Sequence, residues 1–106
     1  MIYLASPYSS GFASVREERY HEVCKAAARL MITGKIVYSP IAHSHPIEHY
    51  TGPQDHGFWM HQCVGMLRHC DEIVVLMIDG WKESKGVAIE VELANTLDIP
   101  VRYIDP

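Results

Sequence analysis

Three observations predict an α/β fold built on a mainly parallel sheet. Short apolar runs and helix-periodic stretches alternate along the chain in the order β-α-β-α-β-α-β, the pattern of crossover units. The run Ile73-Val74-Val75-Leu76-Met77-Ile78 is apolar without alternation, as a strand covered on both faces requires. With 106 residues, 48% apolar and 21% charged, the chain fits a single folded domain over residues 1–106.

Met1 to Ser6 is short and apolar and predicts the first strand, followed by loop chemistry at Pro7-Tyr8-Ser9-Ser10-Gly11. From Ser14 to about Thr33 the period is helical, with Val23, Ala26, Ala27, Leu30 and Met31 on one face. Ser14 and Glu17 have the spacing of a capping box, and Gly34 is a fitting stop. Lys35 to Ser39 predicts the second strand, ended by Pro40. The histidine-rich segment 41–57, broken by prolines and glycines, predicts a long loop with at most one helical turn. Phe58 to His69 predicts a second helix through Trp59, Cys63, Met66 and Leu67. Asp71 then precedes the third strand, and Asp79-Gly80-Trp81 turns the chain. Ser84 to Leu97 predicts the third helix, with Val87, Val91, Ala94 and Leu97 as its core stripe. Asp98-Ile99-Pro100 leads into a last strand, Val101 to Ile104.

Composition narrows the function. A formal net charge of -4 without a basic cluster argues against a nucleic-acid partner. No apolar run is long enough to span a bilayer, so no membrane partner is expected. Three cysteines without paired spacing and no signal peptide predict free thiols in a reducing cytoplasm.

In an open parallel sheet, ligands bind beyond the carboxyl ends of the strands where the strand order reverses. The segments expected there are Ala5 to Tyr8, Ser39 to His45, and Asp79 to Gly86. In the last of these, Ser84 and the N–H of Gly86 open a helix and make an anion cradle. Glu90 follows four residues after Gly86, on the side of the helix that carries Val87 and Ala94. A carboxylate beside a packed stripe is costly unless it is paired or used, whereas Glu92 points away and is an ordinary solvated charge. Ser6 and Pro7 let backbone approach a flat ligand, and Tyr8 is placed to cover a base ring. Ser39, His43 and His45 belong to a polar segment lining the same pocket. A metal site is disfavoured: His43, His45, His49, His56 and His61 have no ligand spacing that sets two imidazoles on one helical face with an acidic or cysteine partner. No Gly-x-Gly-x-x-Gly, phosphate-loop or nucleophile-elbow signature is present, so no cofactor is expected.

The opening Tyr3-Leu4-Ala5-Ser6-Pro7, the run Cys70-Asp71-Glu72-Ile73-Val74-Val75-Leu76 and the helix Ser84-Lys85-Gly86-Val87-Ala88-Ile89-Glu90 carry a resemblance. Together with Gly80-Trp81 they resemble the nucleoside 2-deoxyribosyltransferase superfamily, which includes the 2′-deoxynucleoside 5′-phosphate N-hydrolases. The resemblance spans nearly the whole chain. It implies a flavodoxin/Rossmann-like three-layer sandwich with a mainly parallel sheet of four to five strands. It makes Glu90 the nucleophile at C1′ of the sugar, with a covalent glycosyl-enzyme that water or a second base resolves. Ser84 and Gly86 match positions holding a 5′-phosphate, and Ala5 to Tyr8 match the loop against base and sugar. Asp79, at the end of the third strand, would hydrogen-bond the sugar or hold the loop of Trp81.

One departure is visible. The family carries an aspartate on the helix before the third strand, and that position aligns with Cys63. Asp55 or a loop histidine would have to substitute. The resemblance also implies a homo-oligomer, a dimer or tetramer. Two other readings stay open: a non-catalytic nucleotide-binding or sensor module, and a metal-dependent hydrolase built on the histidines.

Overall fold

The computed structural model describes residues 1–106. Its elements run β1 (Ile2–Ala5), α1 (Ala13–Ile32), β2 (Val37–Tyr38), α2 (Pro40–Thr51), α3 (His56–Leu67), β3 (Glu72–Leu76), α4 (Lys85–Thr96) and β4 (Val101–Ile104). All strand pairs are parallel, and the strand order is β2-β1-β3-β4. That is the flavodoxin-like order, with its switch point between β1 and β3. The chain travels one way from β1 to β2 and the opposite way afterwards, so right-handed crossovers put α1 on one face and α3 with α4 on the other. The result is the three-layer α/β sandwich.

Strand alternation divides the core in two. Ile2, Leu4, Val74 and Leu76 pack against Val23, Ala26 and Ala27 of α1. Tyr3, Ala5, Ile73 and Val75 face Leu67 of α3 and Val87 and Ala94 of α4. Each fully buried aliphatic side chain contributes roughly 1.5–3 kcal/mol, so these two clusters hold the central strands from both sides. The apolar stripes are narrower than their periodicity predicts. Met31 and Leu97, both expected in the core, are exposed at the ends of their helices.

The predicted loop over 41–57 is corrected: most of it is helix α2. Ser39 accepts from the N–H of Ala42 at 3.1 Å, and Pro40 occupies the first turn, where its missing N–H costs nothing. Pro46 interrupts the pattern inside the helix, and the tertiary contacts of His45 described below hold the element in spite of it. The Ser14 capping box is also absent. Helix α1 starts at Ala13 with Phe12 as an N-cap that makes no side-chain bond, and Glu17 is engaged elsewhere. No helix is long and apolar enough to cross a membrane.

Candidate functional site

The carboxyl ends of β1 and β3 open into a cleft of ≈ 860 Å³. Besides Arg16 and Arg19 of α1, four segments wall it: Ser6 to Ser10 after β1, one side of α2 from Pro40 to Glu48, the stretch from Gln54 into α3, and Gly80 to Gly86 leading into α4. Three of these are the segments expected from the switch-point rule. The fourth, with Gln54, His56, Trp59, Met60 and Cys63, arrives because α3 packs on the same sheet face as α4.

Glu90 lies at the base of this cleft with only 5% of its surface exposed. Its position follows from helical spacing: Val87, Glu90 and Ala94 share the buried face of α4. The phenol of Tyr3 donates a hydrogen bond to Glu90 Oε2. Burial pushes the Glu90 carboxyl up to about 7, against the smaller downward pull of the Tyr3 hydrogen bond. Burial likewise drives the Tyr3 phenol far above its usual range, with the Glu90 charge adding to it, so Tyr3 keeps its proton and donates it in the hydrogen bond to Glu90. Cys63 is the third member of this group. Burial raises its thiol to about 11 although a hydrogen bond with Tyr3 works the other way. It is therefore a neutral thiol beside the carboxyl, in the place where the resemblance expects an acid.

The anion cradle at α4 is built as an N-terminus. Ser84 Oγ accepts from the N–H of Val87 at 3.2 Å, while the N–H groups of Lys85 and Gly86 have no carbonyl within the helix to bond to. Ser84, Lys85 and Gly86 line the cleft with Glu90. Across from them stands Ser6, 5% exposed, whose hydroxyl has no partner in the protein. Arg16 and Arg19, on one face of α1, add positive charge to the same wall. A buried polar group left unpaired is unfavourable, so Ser6 is a position that a polar ligand group would satisfy.

The arginines also fasten the rim. Arg19 donates to the carbonyl of Ser9 at 2.9 Å and to that of Asp79 at 3.3 Å, and Arg16 donates to the carbonyl of Ser10. Gly80 makes this possible. Its φ is +93°, and a Cβ there would stand 2.4 Å from Nη2 of Arg19, so a larger residue would strain the backbone and push the guanidinium off the rim.

On the remaining wall, Tyr8 OH lies 2.7 Å from His45 Nδ1, and His45 Nε2 lies 2.8 Å from Glu17 Oε2. Tyr20 stacks on His45 with ring centroids 4.2 Å apart. Burial raises the Tyr8 phenol and so does Glu48, against an opposing effect of Arg16.

Several expected positions are not in the cleft. Asp55 caps α3, its Oδ1 accepting from the N–H of Phe58 at 2.8 Å, and its exposed carboxylate does not line the site. Asp79 is exposed and only its carbonyl is used, by Arg19. Trp81 packs against Tyr103, centroids 5.5 Å apart, beside a smaller depression of ≈ 330 Å³ on a different face of α4. His43 is exposed at the side of Tyr38. Ala5 and Pro7 are buried behind the rim, and Ser39 is spent on capping α2. Ser6, Tyr8, His45, Ser84, Gly86 and Glu90 do come together. Sequence reasoning missed Tyr3, Arg16, Arg19, Glu17 and Trp59. Tyr3 carried one signal, since a polar tip on a strand facing a helix needs a partner. The i, i+3 pair Arg16 and Arg19 carried another, being two cations on one face of the helix that follows β1. No three His, Cys, Asp or Glu side chains converge into a metal-holding set.

Fold and site together define a small flavodoxin-like α/β protein with a buried carboxylate beneath a ligand-sized cleft. Residues 1–105 match the family described as Domain of unknown function (DUF1937), and the chain belongs to that family. A comparison with curated proteins finds no match.

Proposed function

We propose that the protein cleaves, or transfers, the N-glycosidic bond of a nucleoside or nucleoside 5′-monophosphate through a covalent intermediate on Glu90. The observation that carries this reading is Glu90 itself: a carboxyl held by one phenol, otherwise desolvated, beneath a cleft large enough for a nucleotide. A carboxylate with few hydrogen bonds is a reactive nucleophile, and its attack on C1′ splits glycosidic cleavage into two easier displacements. The cradle at Ser84, Lys85 and Gly86, with Arg16 and Arg19 near it, suits a 5′-phosphate, so hydrolysis of a monophosphate is favoured over exchange between free nucleosides. Trp59, lining the cleft, offers a face for the base. The resemblance of the β1 and α4 motifs to the deoxyribosyltransferase superfamily points the same way. Free Cys24, Cys63 and Cys70 suit a reducing cytoplasm. Exposed Ile89, Leu97 and Tyr103 along α4 and β4 suit a homo-oligomer.

The test is free-base release from a panel of nucleosides and their 5′-monophosphates, followed by chromatography. Wild-type protein releases base from at least one monophosphate, and Glu90→Ala lowers that rate by roughly 10³-fold or more. Turnover that survives Glu90→Ala sinks the mechanism.

One observation favours a second reading, a nucleotide-binding or sensor module without catalysis. Cys63, a neutral thiol, stands where the resemblance calls for an acid. Calorimetric binding of a monophosphate with no base released by chromatography identifies that case.

A further inference from the structure

The hydrogen-bonded chain on the α1–α2 side of the cleft has the parts of a proton relay. Glu17, when ionised, can only accept, so the 2.8 Å contact fixes Nε2 of His45 as a donor. That leaves Nδ1, 2.7 Å from the Tyr8 hydroxyl, as the ring atom free to take up or release a proton. The ring is held on three sides. Glu17 bonds one edge, Tyr20 stacks on its face at 4.2 Å, and Tyr8 meets the other nitrogen. The side chain of His45 is only 13% exposed. Of the relay, Tyr8 and His45 line the cleft and Glu17 stands behind them. Order of this kind, an acid orienting an imidazole that meets a hydroxyl, is what proton transfer to a reacting group requires.

We propose that Tyr8 is the acid–base group of this site, with His45 and Glu17 as the residues that position it and exchange its proton. The assignment rests on the N-glycosidic reading above and supplies the acid–base group that reading lacks, because Asp55 is a helix cap outside the cleft. The steps balance. In the first, Glu90 attacks C1′, the C1′–N bond breaks, and its electron pair leaves on the base. The step starts with His45 protonated on both ring nitrogens; the Tyr8 hydroxyl gives its proton to the base while the Nδ1 proton of His45 passes to the Tyr8 oxygen, which leaves the neutral ring protonated at Nε2. In the second, water attacks C1′ and the ester bond returns its electron pair to Glu90. The water proton goes to the Tyr8 oxygen, and the Tyr8 proton returns to Nδ1. One group serves as acid and then as base, as a retaining displacement demands.

Other charged groups surround the relay. Glu17 is shared with His21 at 3.1 Å, Glu48 lies 3.5 Å from the Tyr8 hydroxyl, and His49 meets His45 edge-on at 6.0 Å. Arg16 faces Tyr8 from α1. Burial raises the Tyr8 phenol and Glu48 adds to that, which keeps it protonated until a base accepts.

The experiment compares a deoxynucleoside monophosphate cleaved by the wild type with its 4-nitrophenyl glycoside analogue, whose leaving group departs without a proton. Tyr8→Phe is expected to lose about 10²–10³-fold on the nucleotide. It should lose under about tenfold on the nitrophenyl compound when azide, a nucleophile that needs no base, is supplied. Glu17→Gln should show the same selectivity at smaller size. An equal loss on both substrates overturns the relay while leaving the N-glycosidic reading intact. A wild type that cleaves neither substrate overturns that reading instead. Nitrogen-15 spectra of His45 in the full-length protein give an arm independent of activity and of the folding of variants. The relay requires a proton on Nε2 with Nδ1 accepting in the neutral ring, and a neutral ring protonated at Nδ1 overturns it.

Discussion

The two faces of the sheet use the same two central strands to opposite ends. Toward α1, Ile2, Leu4, Val74 and Leu76 pack with Val23, Ala26, Ala27 and Ile78 into an apolar cluster. Toward α3 and α4, one residue over in register, Tyr3 carries a phenol into the core, where Glu90 and Cys63 meet it. The first face is an ordinary solution to burial. The second carries a desolvated carboxyl that destabilises the fold at neutral pH, and a stable first face allows that cost. The apolar cluster and the buried carboxyl therefore sit on opposite sides of β1, one residue apart.

The largest effect should come from breaking the apolar face. Leu4→Ala leaves a cavity beneath α1 and should cost about 2–5 kcal/mol in urea denaturation, with base release per folded molecule unchanged. A loss of activity well beyond the unfolded fraction would show that the two faces are not separable.

Glu90→Gln should act with the opposite sign. Burial holds the carboxyl at about 7 in the fold, against 4.5 for an unburied glutamate. Between those values the folded protein keeps a proton that the unfolded chain has lost, so stability declines as pH rises from 4.5 to about 7 and is level above that. Glutamine keeps an acceptor for Tyr3 and removes the titration. The variant should be more stable than wild type at pH 8 by on the order of 3 kcal/mol and nearly equal to it at pH 4. Melting curves at the two pH values check this, and a destabilised variant at pH 8 would mean that Glu90 has a charge partner in solution. For the same reason, wild-type base release should climb between about pH 6 and 8 as the nucleophile ionises.

Asp55→Ala gives the smallest change. Loss of the α3 cap should cost about 1 kcal/mol and leave kcat/KM for base release unaltered. A strong drop in kcat/KM would return Asp55 to the site.

Much of this contrast was legible in the sequence, because it rests on periods. The unbroken run after Asp71 gave β3, and the position of Glu90 beside Val87 and Ala94 marked it as a buried acid before any coordinates. Helix α2 was hidden by Pro46 and by histidines that favour no element. Its start signal, Ser39 before Pro40, coincides with the signal that ends the second strand. The two hydrogen-bonded groupings were beyond reach. Tyr3 finds Glu90 across 87 residues of chain, and Glu17 finds His45 across 28. Such meetings depend on strand order and helix docking, which local spacing does not encode. Asp55 and Asp79 lie outside the cleft and show the converse, since an acid near a helix start or strand end looks the same whether it serves a ligand or the backbone.

Gly80 carries a consequence for anyone remodelling the cleft. Because Arg19 occupies the space a side chain would need and grips the carbonyls of Ser9 and Asp79, the two rims after β1 and β3 are buckled to one clasp. They should open and close as a single jaw. Grafting one rim from a relative without the other would leave half a clasp, so a change of specificity by loop exchange has to move both rims, and the glycine, together.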